Sequence, residues 1–416
     1  MKFSSPTKRL SWLPQLEPQI WILAVGRFLS GVGSGFTLFY APIFFVNLVH
    51  LSATQVGIGL GSASISGVLG RILGGSFADS RFWGRRRTLL LSAAISAIAS
   101  LVMALSDNFS TFVVANLLMG LGMGLYWPAT EAAVADLTQP EHRQEAYAIV
   151  RFADNFGLGV GIILGGMLIG TIGAYRALFV IDAISFVVFF GVVYFAIAET
   201  YKPTQRHREA LGNWETALRD RRLAIFVLAN IIFTTYVSQL HSTIPLYFSK
   251  FVPVGNSKVG FATITISALF TWHTIVATLC LIPISRILRR FSHPHALTVS
   301  ALLWAVGFSF IWVTGVAPAG QLSWAILAMG VTAIAIVFYT PSASALVADI
   351  APESQRGVYL SINSLCWAIG YAIGPPLGGW AMDRSSIAAN SFWLGLAFSV
   401  VIVVAILQYL NRVLDN

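Results

Sequence analysis

Charge is scarce in this chain. Asp, Glu, Lys and Arg together make up 10% of 416 residues, against about 25% in soluble domains, which excludes an ordinary water-soluble fold. Cysteine is rarer still. Cys280 and Cys366 are the only two, and both lie in apolar stretches, so a disulfide framework is excluded and buried packing is expected. No glycine loop ending in Lys-Ser/Thr is present, which argues against ATP-driven chemistry. A nucleophile elbow and paired zinc-ligand spacing are also missing, so an enzyme has nothing to carry it. Neither a cofactor nor a metal is expected.

What the chain does have is apolar surface in long runs. Hydrophobic residues make up 56% and aromatics 13%, with 36 glycines, a composition suited to helices packed in lipid. A bilayer span needs about 20 apolar residues. Runs of that length occur at 20–46, 55–79, 88–106, 110–136, 144–170, 176–198, 222–248, 258–285, 295–315, 321–348, 357–381 and 390–411. The fold class expected is therefore all-α, with twelve transmembrane helices. Residues 1–19 read as a cytoplasmic tail leading into a retained first span, and 412–416 as a short cytoplasmic end.

The net charge of +9 does not mark a nucleic-acid partner, because the basic residues lie between apolar runs. With both ends inside, nineteen of the 26 Lys and Arg residues fall in inner segments, among them Lys2, Lys8, Arg9, Arg143, Lys202, Arg206, Arg208, Arg289 and Arg290. Four fall in outer segments and three within spans. Cytoplasmic loops carry excess Lys and Arg, so both termini are assigned to the cytoplasm, in a cell inner (plasma) membrane.

A polar, basic stretch at 199–221 divides six spans (20–198) from six (222–411). The halves are related. A shift of 213 positions lays Pro128 on Pro341, Asp136 on Asp349 and Arg143 on Arg356. It also lays Gly157, Gly161, Gly165 and Gly166 on Gly370, Gly374, Gly378 and Gly379, without a gap. A parallel six-span repeat is a transporter architecture with its pathway between the halves.

The loop after the second run reads Gly75-x-x-Ala78-Asp79, then Gly84-Arg85-Arg86-Arg87. It resembles the signature G-x-x-x-D-R-x-G-R-R of the major facilitator superfamily, lengthened by two residues. The eleventh run, Gly370-x-x-x-Gly374-Pro375-Pro376-Leu377-Gly378-Gly379, resembles the glycine-proline motif that this superfamily's antiporters carry in span five. Span five keeps the glycines but has Ile162 at the proline position, and span four has Asn116 where drug/proton antiporters have arginine. The resemblance covers the whole chain and implies alternating access. It also implies an inner gate at Gly75, Asp79, Gly84, Arg85 and Arg86, for which Asp136 and Asp349 are candidate partners. The glycines and Pro375 read first as helix-packing positions.

Six charges lie inside spans, all in the first half: Arg27, Arg71, Arg151, Glu131, Asp154 and Asp182. An isolated charge at the bilayer centre costs from about 2.5 to 17 kcal/mol by contested scales, so pairing or a water-filled cavity is expected. Arg151 and Asp154 share a helix face at i, i+3. Asp154, or else Glu131, is therefore a candidate proton carrier with Arg151 as its tuner, set against a static salt bridge. Asp182 reads as structural. The second half has no deep charge. Its candidates for a cavity are Gln239, His241, His273, Trp367 and Tyr371, which join Arg27, Tyr40, Tyr126 and Trp127 from the first half, although any one aromatic suits packing alone. As a set they suit an amphipathic or cationic organic molecule.

The sequence thus points to a secondary transporter, acting as a monomer, that exports a small organic compound against protons. A metabolite-importing symporter or uniporter remains open, and a receptor or intramembrane enzyme is the remote alternative.

Overall fold

The computed structural model describes residues 16–139, 142–200, 210–254, 258–288, 291–352 and 355–415. The basic residues Lys2, Lys8, Arg9, Lys202, Arg206, Arg208, Arg289 and Arg290 lie outside them, as does nearly all of the N-terminal tail. Fourteen α-helices are described. They are α1 (Pro18–Asn47), α2 (Ala53–Ala78), α3 (Gly84–Leu105), α4 (Phe109–Leu137), α5 (Arg143–Ile172), α6 (Tyr175–Ala196), α7 (Ala210–Arg219), α8 (Arg221–His241), α9 (Thr243–Lys250), α10 (Thr263–Leu288), α11 (His293–Val316), α12 (Gln321–Ile350), α13 (Arg356–Met382) and α14 (Ser386–Asp415). Eleven described helices are long and apolar enough to cross a membrane. The twelfth long helix, α13, contains Ser361, Asn363, Ser364 and the glycine-proline stretch, which dilute its apolar content. On α14, Phe398 is 73% exposed and Val401 69%. Such side chains need lipid against them.

Short polar residues start the helices where the sequence leads one to expect it. Ser52 accepts from the Gln55 amide (3.1 Å), while the Gln55 side chain accepts from the Ser52 amide (3.0 Å), which makes a capping box. Asn108 caps α4 and Asp220 caps α8 through their side-chain oxygens. Two boundaries differ from the reading of apolar runs. The run at 222–248 is not one helix, because α8 stops at His241 and α9 restarts at Thr243 around a non-helical Ser242. The run at 258–285 begins as a two-residue strand, β2 (Lys258–Val259), paired antiparallel with β1 (Pro253–Val254), and turns helical only at Thr263. Among the described residues this small ladder is the exception to an otherwise all-α structure.

Helix packing follows a repeated scheme. In the first set α1 packs on α5 and α6, α2 on α4, and α3 on α4 and α6. In the second set α8 packs on α13 and α14, α10 on α12, and α11 on α12 and α14. Between the sets α2 meets α13, α5 meets α10 and α1 meets α9.

Glycine makes these approaches possible, since lipid supplies no hydrophobic force between helices and close backbone contact must serve instead. A Cβ on Gly31 would come 3.3 Å from the Gly157 Cα, and one on Gly35 3.0 Å from the Gly161 Cα. On α2, Gly70 faces Gly124 of α4 at 2.9 Å by the same measure. Gly370, Gly374 and Gly378 face Thr234, Ser238 and Thr243. The last glycine of each motif does something different. Gly166 lies against Ser267 of α10 and Gly379 against Ala53 of α2, so each touches the other set of helices.

Gly161→Leu should therefore destabilise the detergent-solubilised protein by about 1–3 kcal/mol, the usual cost of overpacking. Gly170→Leu on the same helix, where a Cβ meets open space, should leave the thermal midpoint unchanged. A matched pair of thermal unfolding curves checks the contrast.

Candidate functional site

The deepest ion pair joins α1 to α5. Arg27 Nη2 lies 2.5 Å from Asp154 Oδ1, and its Nε donates to the same oxygen at 2.7 Å. The guanidinium is 3% exposed. It lies 3.8 Å above the Tyr126 ring, with Phe189 at 5.3 Å on α6. The Tyr126 hydroxyl donates to Asp154 Oδ2 at 3.5 Å, and Arg27 also donates to Ser30 at 3.3 Å. Gly31 allows this reach, because α1 lies against the Asp154 carbonyl at that position. A short aspartate and an arginine on neighbouring helices can therefore meet in a largely buried, aromatic-walled cell, where electrostatic attraction is strong.

Arg151 does not pair with Asp154. It turns instead to Glu131 of α4 at 3.4 Å, with both side chains more than half exposed and Trp127 5.9 Å away. The i, i+3 spacing keeps Arg151 near Asp154, but its ion pair is made across the helix gap with Glu131. Arg27, read from sequence as a cavity residue, is the ion-pair partner of Asp154. Trp127 also stands edge-on to Tyr126 at 5.2 Å.

Asp182 is fully buried among hydroxyls. Thr37 donates to Oδ2 at 2.6 Å and Ser100 at 2.8 Å, from α1 and α3. This polar knot, with Gly33 flush against it, fixes three helices together. Nothing in the apolar periodicity announced the two hydroxyl partners.

At the end of the bundle where α2 passes into α3, Arg85 lies 3.0 Å from Asp79 and 3.1 Å from Asp136. Glu199 accepts from the backbone amides of Arg85 (2.9 Å) and Arg86 (3.2 Å), a carboxylate at the positive end of α3. Gly84 has φ +79° and faces that carboxylate, so glycine is required there. Gly75 is different, since a Cβ there meets nothing. Asp349 stands apart and lies 3.2 Å from His293. It therefore does not join Asp79, because the repeat that makes it the counterpart of Asp136 also puts it in the other set. Glu199 was not anticipated from sequence; its position just past α6 was the available signal.

The second set of helices supplies an aromatic ladder. His241 stacks on Tyr371 with centroids 6.4 Å apart, Tyr371 on Trp367 at 6.2 Å, and Trp367 lies 6.0 Å from Tyr339. His273 on α10 lies within electrostatic reach of His241. The buried His241 Nδ1, His273 Nε2 and Gln239 Oε1 have no hydrogen-bond partner among the described residues. Gln239 itself is wedged between α8 and α13, donating to Thr235 O (3.2 Å) and Gly374 O (3.1 Å). Tyr40 is not free to line a cavity, because its hydroxyl bonds both Ile162 O and Ser267 Oγ at 2.6 Å.

That Tyr40–Ser267 bond belongs to a seal across the sets at the opposite end. Phe39 meets Phe270 at 4.5 Å. Asp383, just past α13, accepts from the Ala53 and Thr54 amides at 2.7 Å each. These are the free first amides of α2, so the carboxylate satisfies orphan donors at a positive helix end.

A model of the major facilitator superfamily matches residues 23–264 and 248–414. An uncharacterised transporter of the same type from Bacillus subtilis, YttB, is 23% identical over 389 residues, 92% of each chain. A Na(+), Li(+), K(+)/H(+) antiporter from Planococcus maritimus is 25% identical, over 86% of this chain and 88% of the relative. Multidrug resistance protein 2 of Bacillus subtilis is 24% identical over 87% and 88%. Among solved structures, the nucleoside transporter NupG superposes with a TM-score of 0.80 at 15% identity, over 95% of this chain and all of that one.

Asp383→Asn should loosen the seal. A cysteine at Ala372, in a background lacking Cys280 and Cys366, should then react several-fold faster with a membrane-impermeant thiol reagent offered from the α2 start side of sealed vesicles.

Proposed function

This chain belongs to the major facilitator superfamily, and from that premise we propose that it is a proton-coupled exporter of a small organic compound, with Asp154 as its proton carrier. Its membership makes it a multi-pass secondary transporter and not an enzyme. The observation that carries the finer reading is the Arg27–Asp154 pair under Tyr126. When the carboxylate is charged it holds Arg27 and clasps α1 to α5. When it takes a proton, the attraction falls to that of a neutral hydrogen bond and the clasp weakens. A titratable link between two helices in the membrane is a means of coupling proton binding to helix position.

Relatives support this direction: one is named as a cation/proton antiporter and another as a multidrug resistance protein. Two six-helix halves, residues 20–198 and 222–411, rock about a pathway between them, with both termini in the cytoplasm and the chain acting as a monomer. The Asp383 and Tyr40 contacts close the outer end, while Asp79, Arg85 and Asp136 hold the inner ends of α2, α3 and α4 as the gate unit. Glu131 with Arg151 forms a second, more open pair that receives the proton from water before Asp154.

In proteoliposomes, Asp154→Asn should abolish transport driven by a pH gradient while leaving substrate exchange intact. Unchanged pH-driven uptake would overturn the carrier role. Arg27→Gln should likewise abolish transport driven by a pH gradient, because the charged and the protonated carboxylate then no longer differ in holding α1 to α5. Retained coupling would contradict the pairing.

A further inference from the structure

Of the six charges within the spans of the first set, four form ion pairs, Arg27 with Asp154 and Arg151 with Glu131, and a fifth, Asp182, accepts from two hydroxyls. Arg71 is the sixth. Among the described residues no carboxylate lies within ion-pair distance of it. Glu131 is within electrostatic reach, but it is already engaged by Arg151. The wall formed by Arg71, Arg151 and Glu131 therefore carries one cation more than it has anions.

The opposite wall does not correct the imbalance. From Arg221 to Ala348 the sequence has no Asp or Glu, and α13 has none either. A guanidinium without an ion-pair partner inside a membrane is costly and marks function by default. Arg71 lies seven residues before the end of α2, about 10 Å along the axis. It does not turn to the lipid headgroups, because Nη1 donates to the Ser364 hydroxyl on α13, across the seam between the two sets. Higher on the same seam, Gly57 and Gly61 seal α2 against Pro375 and Ala372. At Arg71 the side chain is exposed.

Ser364, Trp367 and Tyr371 share one face of α13 at i, i+3 and i+7. The ladder above Arg71 thus runs through two stacked aromatic rings to His241, whose Nδ1 has no hydrogen-bond partner among the described residues. From Ser364 to Tyr371 the rise is about 10 Å, close to the length of a two-ring aromatic acid. Arginine presents a planar fork of donors that matches a carboxylate bidentately.

We infer that Arg71 is the anchor for an anionic group on the substrate, with the aromatic body of that substrate stacked along Trp367 and Tyr371. This assigns the substrate class as planar organic acids, and rests on the reading of the seam between α2 and α13 as part of the transport pathway. It replaces the cationic molecule that the aromatic residues alone suggested. Ser364 holds the guanidinium in place.

The test is calorimetric titration of the purified full-length protein with 2-naphthoate, its methyl ester and 2-naphthylmethylammonium. Naphthoate should bind at least tenfold more tightly than the ester, and the ammonium most weakly. Arg71→Gln should erase the naphthoate advantage and leave ester binding within twofold, whereas Arg71→Lys should keep part of it. Ser364→Ala breaks the strut without removing the charge and should preserve the preference. Equal binding of all three probes, binding of none, tighter binding of the ammonium, or a uniform loss in Arg71→Gln would each overturn the assignment. Binding does not depend on proton coupling. If naphthoate binds as expected but moves no protons in Asp154-intact proteoliposomes, the coupling reading fails and the anion site stands.

Discussion

Close contact between helix backbones is the constraint on which the rest of this structure depends. In lipid, apolar side chains gain nothing by leaving the tails for one another, so helices associate through packing and polar contact. Gly31 and Gly35 on α1, facing Gly157 and Gly161 on α5, bring two backbones within van der Waals reach. That distance is what lets Asp154, with one methylene, reach Arg27. With larger residues at those four positions, the pair would be separated and each charge left to face the membrane alone. The buried electrostatics are thus a product of the glycine spacing.

The two glycine motifs also explain how one helix can serve two partners. Gly157, Gly161 and Gly165 face α1, and Gly370, Gly374 and Gly378 face α8 and α9. The next residue in each motif, Gly166 or Gly379, is turned by about 100° and faces the other six helices. Firm packing within a set and close sliding contact between sets are thereby written into adjacent positions. Movement between the sets need not disturb packing within one.

Much of this was readable beforehand, for physical reasons. Twelve apolar runs follow from bilayer thickness, and the 213-residue shift exposed a repeat whose helix pairings recur in space. What escaped detection depends on contacts that sequence distance hides. Arg151 was read as the tuner of Asp154 because it is three residues away; the ion-pair partner, Arg27, is 127 positions away and is brought close only by the α1–α5 contact. The break at Ser242 lies inside a run that is apolar on both sides, and hydropathy does not register backbone angles. The hydroxyls around Asp182 and the Glu199 cap on α3 are ordinary polar residues until the fold assembles them. Asp349 shows the converse: a repeat identifies counterparts, and counterparts are kept apart.

The clasp made by Asp383 on the first amides of α2 has a consequence for timing. Its three groups lie at the rim, where water stands ready to replace each bond as it breaks. Letting go there leaves few groups without a partner, unlike releasing Arg27 from Asp154 in a largely buried aromatic cell. Separation of the halves at that end would therefore unzip from the rim inward: a fast, reversible fraying comes first, and the slow step lies deeper, where Tyr40, Ser267 and Phe270 part only together.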